Sequence, residues 1–416
     1  MRRFLIALCV LVLVGCSADS TPPSSSPADS DGSAAAASAQ SPSDSAKKGF
    51  SQNPTLGECQ ALAERDRIVA EECVNAIPAE DLSGALLAVG VTTYEQAEHA
   101  VDLGVRHLFF GTGADFSMLN GRGDPSRSLD ALQKRSGGRL VISVDEEGGE
   151  VQRLADIIGK IPSARQMAET MSPQQVTDMM REHGEKMKKL GFTMDFAPIA
   201  DVVGAGDVQA NAIGSRSFSA DPAVVAEYAR AYALGLQQAG IDAVFKHFPG
   251  HGHTTGDSHE RAVTAPTRPE LEANDLVPFA RLSDMSHVSM MVGHMQTPGI
   301  DDASHQVWGA QTPASLNPAV YQLLREGKYS PGAREGGAAP FRGTIFTDDL
   351  TGMKAITAHH PGPDAAVAAL QAGADQALTA SGAVAVLDVV GAVRQAIIDG
   401  RIPRAHVYDA VKAAHL

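Results

Sequence analysis

Past Ser83 the chain repeats one unit, a short apolar run followed by an amphipathic stretch, and it does so eight times. Runs of strand length fall at Ala85–Val89, His107–Phe110, Leu140–Val144, Thr193–Ala197, Ala243–Phe245, Ser289–Val292, Thr344–Phe346 and Gln376–Leu378. Between and after them, helical spacing of apolar residues marks Tyr94–Leu103, Pro173–Leu190, Pro222–Ala239, Pro269–Leu282, Pro313–Arg325, Asp364–Ala372 and Ala383–Asp399. Strands that are apolar throughout belong in a parallel sheet covered by helices, and eight such units in about 330 residues match a (β/α)8 barrel. The competing architecture is an open doubly wound sheet. That fold usually places a Gly-rich phosphate turn after its first strand, and Val89-Gly90-Val91-Thr92 is not one.

In such a barrel the chemistry sits at the C-terminal ends of the strands. Here those ends carry the polar clusters. The third strand exits into Asp145-Glu146-Glu147-Gly148-Gly149-Glu150-Val151-Gln152-Arg153, the fourth into Asp195 to Asp201, the sixth into Gly293-His294 and the seventh into Thr347-Asp348-Asp349. The fifth opens into Lys246 to His259, KHFPGHGHTTGDSH, which holds four His, one Lys and one Asp within 14 residues. A structural loop has no need of so many protonatable groups.

The clusters contain no Cys nucleophile, no Ser in a G-x-S-x-G elbow and no phosphate-binding glycine loop. Zinc is the serious rival, since His247, His251, His253, His259 and His294 have carboxylates nearby, but their spacing fits neither H-E-x-x-H nor a His-x-His strand pair. The remaining reading is a carboxylate nucleophile with a separate acid/base, as in retaining glycosidases. Asp348 or Asp349 supplies the nucleophile. Asp257 stands two residues before His259, and a carboxylate in that place can orient an imidazole for proton transfer.

The other end of the chain bears on location. Arg2 and Arg3 precede an apolar run from Phe4 to Val14, the layout of a signal peptide over residues 1–15 and too short to span a bilayer. Leu13-Val14-Gly15-Cys16 resembles the lipobox of bacterial lipoproteins, which would make Cys16 the lipidated first residue of the mature chain; an ordinary cleaved signal is the alternative. Residues 16–50 are Ser, Ala, Pro, Asp and Gly without apolar periodicity, so they read as a flexible linker, with residues 51–416 as the catalytic domain. A formal net charge of −15 argues against a nucleic-acid partner, which needs clustered Lys and Arg. With Cys9 in the signal and Cys16 lipidated, Cys59 and Cys73 remain. Outside the cytoplasm a disulfide between them is expected, stabilising by roughly 3 kcal/mol through a loop of about 15 residues; two free buried thiols are the alternative.

Several motifs occur together and in order: VDEEGGEVQR, FAPIADV, GSRSF, KHFPGHG followed by DSH, PASL and FTDDL. By this set, spanning roughly Gly84 to Gly400, the chain resembles glycoside hydrolase family 3, in the β-N-acetylglucosaminidase branch that has the barrel and no second domain. The resemblance implies a retaining enzyme that removes terminal non-reducing N-acetylglucosamine, on peptidoglycan fragments in the cell envelope, with no cofactor and no metal. It implies Asp348 as nucleophile, His259 as acid/base and Asp257 as its orienting partner. Lys246, His247, Asp145, Arg153 and Arg216 take the sugar-binding positions. Asp349, Glu147, Asp195 and Asp201 read as hydrogen-bonding support. A histidine acid/base is neutral once deprotonated, so phosphate can approach and phosphorolysis stays open; so does a non-catalytic muropeptide-binding lipoprotein. The chain departs from the family pattern at Glu146 (commonly Gln), Glu150 (commonly Arg), His253 (commonly Asp) and Thr351-Gly352-Met353, which bears on loop shape and substrate grip. Residues 327–340 read as a variable insertion. The oligomeric state is not set by the sequence.

Overall fold

The computed structural model describes residues 49–63, 65–204, 206, 208–209, 211–300, 312–332, 337–380, 382 and 384–414. The expected signal peptide, Cys16 and nearly all of the expected linker lie outside the described residues. Phe50, the last residue of that expected linker, is already buried against the core.

Eight parallel strands form one sheet: β1 (Leu87–Gly90), β2 (His107–Phe110), β3 (Val141–Val144), β4 (Met194–Asp195), β5 (Asp242–Phe248), β6 (Val288–Val292), β7 (Ile345–Thr347) and β8 (Ala377–Thr379). Each pairs with the next in sequence from β1 to β7, and β8 returns to pair with β1. A parallel bridge between Phe346 and Gln376, with Leu378 N–H donating to Thr347 Oγ1 at 2.9 Å, joins β7 to β8 and completes the (β/α)8 barrel.

Side-chain alternation along these strands divides the apolar residues between two cores. Ala88, Phe109, Met194, Val244, Met291, Phe346 and Leu378 point inward and, with Phe196, fill the lumen; Phe109 stacks on Phe196 with ring centroids 5.1 Å apart. Their strand neighbours face the helices and form the larger outer core. One histidine lies among the lumen rings. His107 bonds Gln376 Oε1 at 2.9 Å and Ser143 Oγ at 2.7 Å, and burial lowers its pKa to about 4 despite the Gln376 bond, so it is a neutral packing element.

Local chemistry sets the helix ends. The helix Pro173–Leu190 opens with Pro at its first position and a Ser172/Gln175 capping box, and it closes on Gly191 in the left-handed region, the pattern expected from orphan N–H groups and the absence of a Cβ. Pro222–Gln238 opens likewise under Asp221. Two expected helices are altered. The stretch expected at Pro269–Leu282 is split into Arg268–Ala273 and Leu276–Leu282, because Asn274 leaves helical geometry and Asp275 is drawn inward to His253. The helix expected from Pro313 begins at Pro318, where Asn317 caps Ala319 N–H.

At the N-terminal edge of the described chain, Leu56–Ala63 and Arg67–Ala76 are joined by a Cys59–Cys73 disulfide. Arg404 of the last helix donates to the carbonyls of Val74 and Ile77, which ties this helical pair to the end of the chain. Among the described residues no helix is long and apolar enough to cross a membrane.

Candidate active site

The ends of β3, β4, β5 and β7 supply the charged groups of one cavity, about 420 Å³, at the C-terminal mouth of the barrel. Strand β5 runs on to Phe248, so Lys246 and His247 stand on the strand itself and not on the loop after it. That strand origin fixes them more firmly than a loop would.

Lys246 is 4% exposed and places Nζ 2.8 Å from both Asp145 Oδ1 and Glu147 Oε1. Burial works against its charge, but Asp145 and Glu147 outweigh that and raise its pKa above the ordinary lysine value. Glu147 also receives two parallel bonds from Arg216, Nε at 2.7 Å and Nη2 at 2.8 Å. Burial favours its neutral form, yet Arg216 and Lys246 hold its pKa down to about 2. Arg153 lies with Nη2 3.8 Å from Asp145 Oδ2, and its Nε is buried with no hydrogen-bond partner. The four residues expected to grip a sugar here, Asp145, Arg153, Arg216 and Lys246, therefore meet in one ionic cluster on the cavity wall.

These positions follow from a turn that only glycine makes. After β3 the chain forms a short antiparallel hairpin, Glu146–Gly148 with Val151–Gln152. Gly148 and Gly149 have φ of 93° and 61°, in the region where L side chains are strained. A Cβ on Gly149 would stand 2.7 Å from that of Ser163. The tight turn brings Arg153 back beside Asp145.

His247 is held from behind by Asp201, which is fully buried. Asp201 accepts the His247 main-chain N–H at 3.1 Å, the ring Nδ1–H at 2.8 Å and the His251 N–H at 2.7 Å. Burial opposes its charge, but His247 and His251 keep its pKa below the usual carboxylate range. The other ring nitrogen of His247 lies 3.8 Å from Asp348 Oδ2.

Asp348 follows β7 directly, 18% exposed. Its N–H donates to Val292 O at 2.9 Å, and its Oδ1 accepts Asp349 N–H at 2.8 Å. Burial raises its pKa, but His247, His294 and the Asp349 N–H outweigh this and bring it well below the ordinary value. It is an ionised carboxylate at neutral pH. Asp349 does different work: its Oδ1 accepts from Thr351 N–H, Thr351 Oγ1 and Ala380 N–H, which pins the turn to the end of β8.

The loop after β5 carries the second polar pair. His259 Nδ1–H donates to Asp257 Oδ1 at 2.8 Å, and its main-chain N–H donates to the same oxygen at 2.9 Å. Burial works against the Asp257 charge, and these two bonds bring its pKa below the ordinary value. The His259 ring is 69% exposed, on the solvent side of the cavity that Asp348 also lines. The loop is not loose, because the carbonyls of Ser258 and His259 accept from Ala355 and Lys354 N–H, and His251 Nε2 lies 3.0 Å from Ser258 Oγ.

His251 and His253, which the sequence leaves without a role, are structural. Burial lowers the pKa of His251, and it braces Ser258; His253 bonds the buried Asp275 at 2.8 Å. The five histidines considered as zinc ligands thus take separate partners, and among the described residues no three His, Cys, Asp or Glu side chains converge as a metal-holding group. His294 has a role that sequence spacing did not reveal. Its burial lowers its pKa, and at 2.9 Å from Asp349 O its Nε2 must carry the hydrogen, leaving Nδ1 to accept from Ser315 Oγ at 2.7 Å. It thereby fixes the peptide that follows Asp349. The only prior signal was its place just after β6.

An ionised carboxylate that shares a barrel-mouth cavity with an imidazole–carboxylate pair and a cluster of buried cations defines a glycoside hydrolase. The family model described as the glycosyl hydrolase family 3 N terminal domain matches residues 84–414. Beta-hexosaminidase LpqI of Mycobacterium tuberculosis is 42% identical over 332 residues, 79% of this chain and 79% of that protein. Among solved structures, a glycosyl hydrolase of the GH3 family from Mycobacterium smegmatis superposes with a TM-score of 0.72 at 42% identity, covering 82% of this chain and 97% of that one. M. tuberculosis LpqI gives 0.71 at 40% identity, covering 83% and 94%. The chain belongs to glycosyl hydrolase family 3.

Proposed function

We propose that this enzyme is a retaining β-N-acetylglucosaminidase that hydrolyses terminal, non-reducing, β-linked N-acetylglucosamine from peptidoglycan fragments. The observation that carries the reading is the shared cavity of Asp348 and the His259–Asp257 pair, walled by Asp145, Arg153, Arg216, Lys246 and His247. The hexosaminidase names of the relatives support the sugar and favour hydrolysis over phosphorolysis and over mere muropeptide binding.

Asp348 attacks the anomeric carbon while the glycosidic oxygen takes a proton from His259 Nε2, giving a glycosyl ester and a free alcohol. Neutral His259 then removes a proton from water as it attacks the same carbon, which releases the sugar and restores the Asp348 carboxylate. The oxocarbenium-like transition state is cationic, and the ionised Asp348 beneath it is stabilising. By accepting the Nδ1–H, Asp257 leaves Nε2 as the nitrogen that gives a proton from the imidazolium and takes one as the neutral ring. Lys246, Arg153 and Arg216 donate charge-assisted bonds to sugar hydroxyls.

A 2-fluoro glycosyl donor should leave a mass adduct on the Asp348 peptide, and Asp348→Ala should abolish nitrophenol release from the nitrophenyl β-N-acetylglucosaminide. A label on Asp349, or an active Asp348→Ala protein, would refute the assignment. Cys16, by its lipobox-like setting, is the proposed lipid anchor that keeps the enzyme at the outer face of the cell membrane. Loss of membrane-fraction enzyme in Cys16→Ser is the expected result, and an unchanged distribution would remove the anchor from the model of its location.

A further inference from the structure

Residues 145 to 147 alternate about the exit of β3. Asp145 and Glu147 face the cavity and hold Lys246 between them. Glu146 points the other way and is fully buried, with contacts along its whole length. Its Oε1 accepts from Gln152 Nε2 and lies 2.9 Å from His183 Nε2, and its Oε2 accepts Leu154 N–H at 2.8 Å. Its main-chain N–H donates to Asp195 Oδ1 at 3.0 Å, and its carbonyl accepts the Tyr232 hydroxyl at 2.6 Å. Asp195 and Tyr232 are themselves buried, on β4 and on the helix Pro222–Gln238.

We propose that Tyr232 and Asp195 are positioning residues for the sugar-binding cluster: by clamping both main-chain groups of Glu146 they set where Asp145 and Glu147 stand, and through these two the place of Lys246. This rests on the reading of Asp145 and Lys246 as sugar-binding groups. Neither Tyr232 nor Asp195 lines the cavity, so neither touches substrate.

The hydrogen count specifies the form of the clamp. Tyr232 has one hydroxyl hydrogen, and the 2.6 Å contact with Glu146 O takes it. Asp195 Oδ2 lies 3.4 Å from the same hydroxyl, longer than an ordinary O–H···O bond. The charged and titratable groups facing Asp195 are Glu146 and Asp145 from the exit of β3, Lys246 from β5 and Tyr232 from its helix. Burial, reinforced by the Glu146 charge, pushes Asp195 well above the ordinary carboxylate value. Asp195 enters the clamp through Oδ1, which accepts the Glu146 N–H.

Asparagine at 195 keeps the Oδ1 that accepts the Glu146 N–H, whereas alanine there removes it and phenylalanine at 232 removes the bond to the Glu146 carbonyl. In the full chain, Tyr232→Phe and Asp195→Ala should raise KM for the nitrophenyl β-N-acetylglucosaminide and Kd for N-acetylglucosamine roughly tenfold, the scale of one lost buried hydrogen bond. Because the clamp acts on ground-state and transition-state grip alike, kcat should stay within about twofold. Asp195→Asn should restore both constants. Melting curves establish folding, and Tyr232→Phe carries the test alone if Asp195→Ala does not fold. An unchanged KM and Kd in folded Tyr232→Phe, or an Asp195→Asn protein as impaired as Asp195→Ala, would overturn the proposal. A failure of the sugar-binding reading would show separately, as absence of N-acetylglucosamine binding by the wild-type protein.

Discussion

Replacing Glu147 by Gln keeps the shape of the side chain and removes its charge from between two buried cations. Lys246 retains Asp145, but Arg216 loses both of its bonds to a carboxylate. The magnitude follows from the folded-state value of about 2 against the ordinary 4.5. At about 1.36 kcal/mol per unit, that difference corresponds to a stabilisation of order 3 kcal/mol, in the range seen when one partner is removed from a buried ion pair. The folded-state pKa is depressed, so the unfolded chain binds more protons between these two values and wild-type stability falls as pH drops through them. The contribution is fully present above the ordinary value and gone below about 2. Denaturant titrations of wild type and Glu147→Gln across this range should therefore show a gap of order 3 kcal/mol at neutral pH that closes as the solution is acidified. Other carboxylates titrate over the same interval, but they do so in both proteins and cancel in the difference. A gap that persists unchanged into acid, or that is already negligible at neutral pH, would refute the ionic account of the cluster.

Removal of the acid/base in His259→Ala should slow hydrolysis of an alkyl β-N-acetylglucosaminide by roughly 10²–10⁴-fold. The loss should be much smaller for a nitrophenyl glycoside, whose leaving group needs little protonation, and equal losses on the two substrates would argue against the role. Asp257→Asn should shift the pH profile of kcat while leaving KM nearly unchanged. The Cys59–Cys73 bond closes a separation of 14 residues far from the cavity. Cys59→Ala with Cys73→Ala should cost roughly 2–5 kcal/mol of stability with kcat and KM preserved; altered kinetics would place those helices in the site.

The barrel was legible because parallel strands covered on both faces read as short apolar runs, and most helix starts because Pro and a capping side chain sit side by side at them. The candidate site's polar members stood out in the sequence because Asp348 and Lys246 fall at strand ends and His259 falls in the loop after β5, and the structure brings all three to one cavity. What escaped was partnership. Nothing in the spacing of Arg216 says that Glu147 holds it, and nothing near Gly293 says that His294 braces the peptide after Asp349, because each partner comes from a different strand. The two rearranged helices escaped for a related reason: a buried contact of Asp275 and a cap by Asn317 override an otherwise helical pattern. The partners of His251 and His253, Ser258 and Asp275, were likewise not legible in the spacing.

The two backbone bonds from Lys354 and Ala355 to the carbonyls of His259 and Ser258 stitch the proposed proton donor's loop to the segment that follows the proposed nucleophile, Asp348, although about ninety residues of chain separate the two. Transplanting the histidine loop alone into another barrel would deliver a donor without its seat. A portable piece would have to carry the loop together with Asp348 to Ala355.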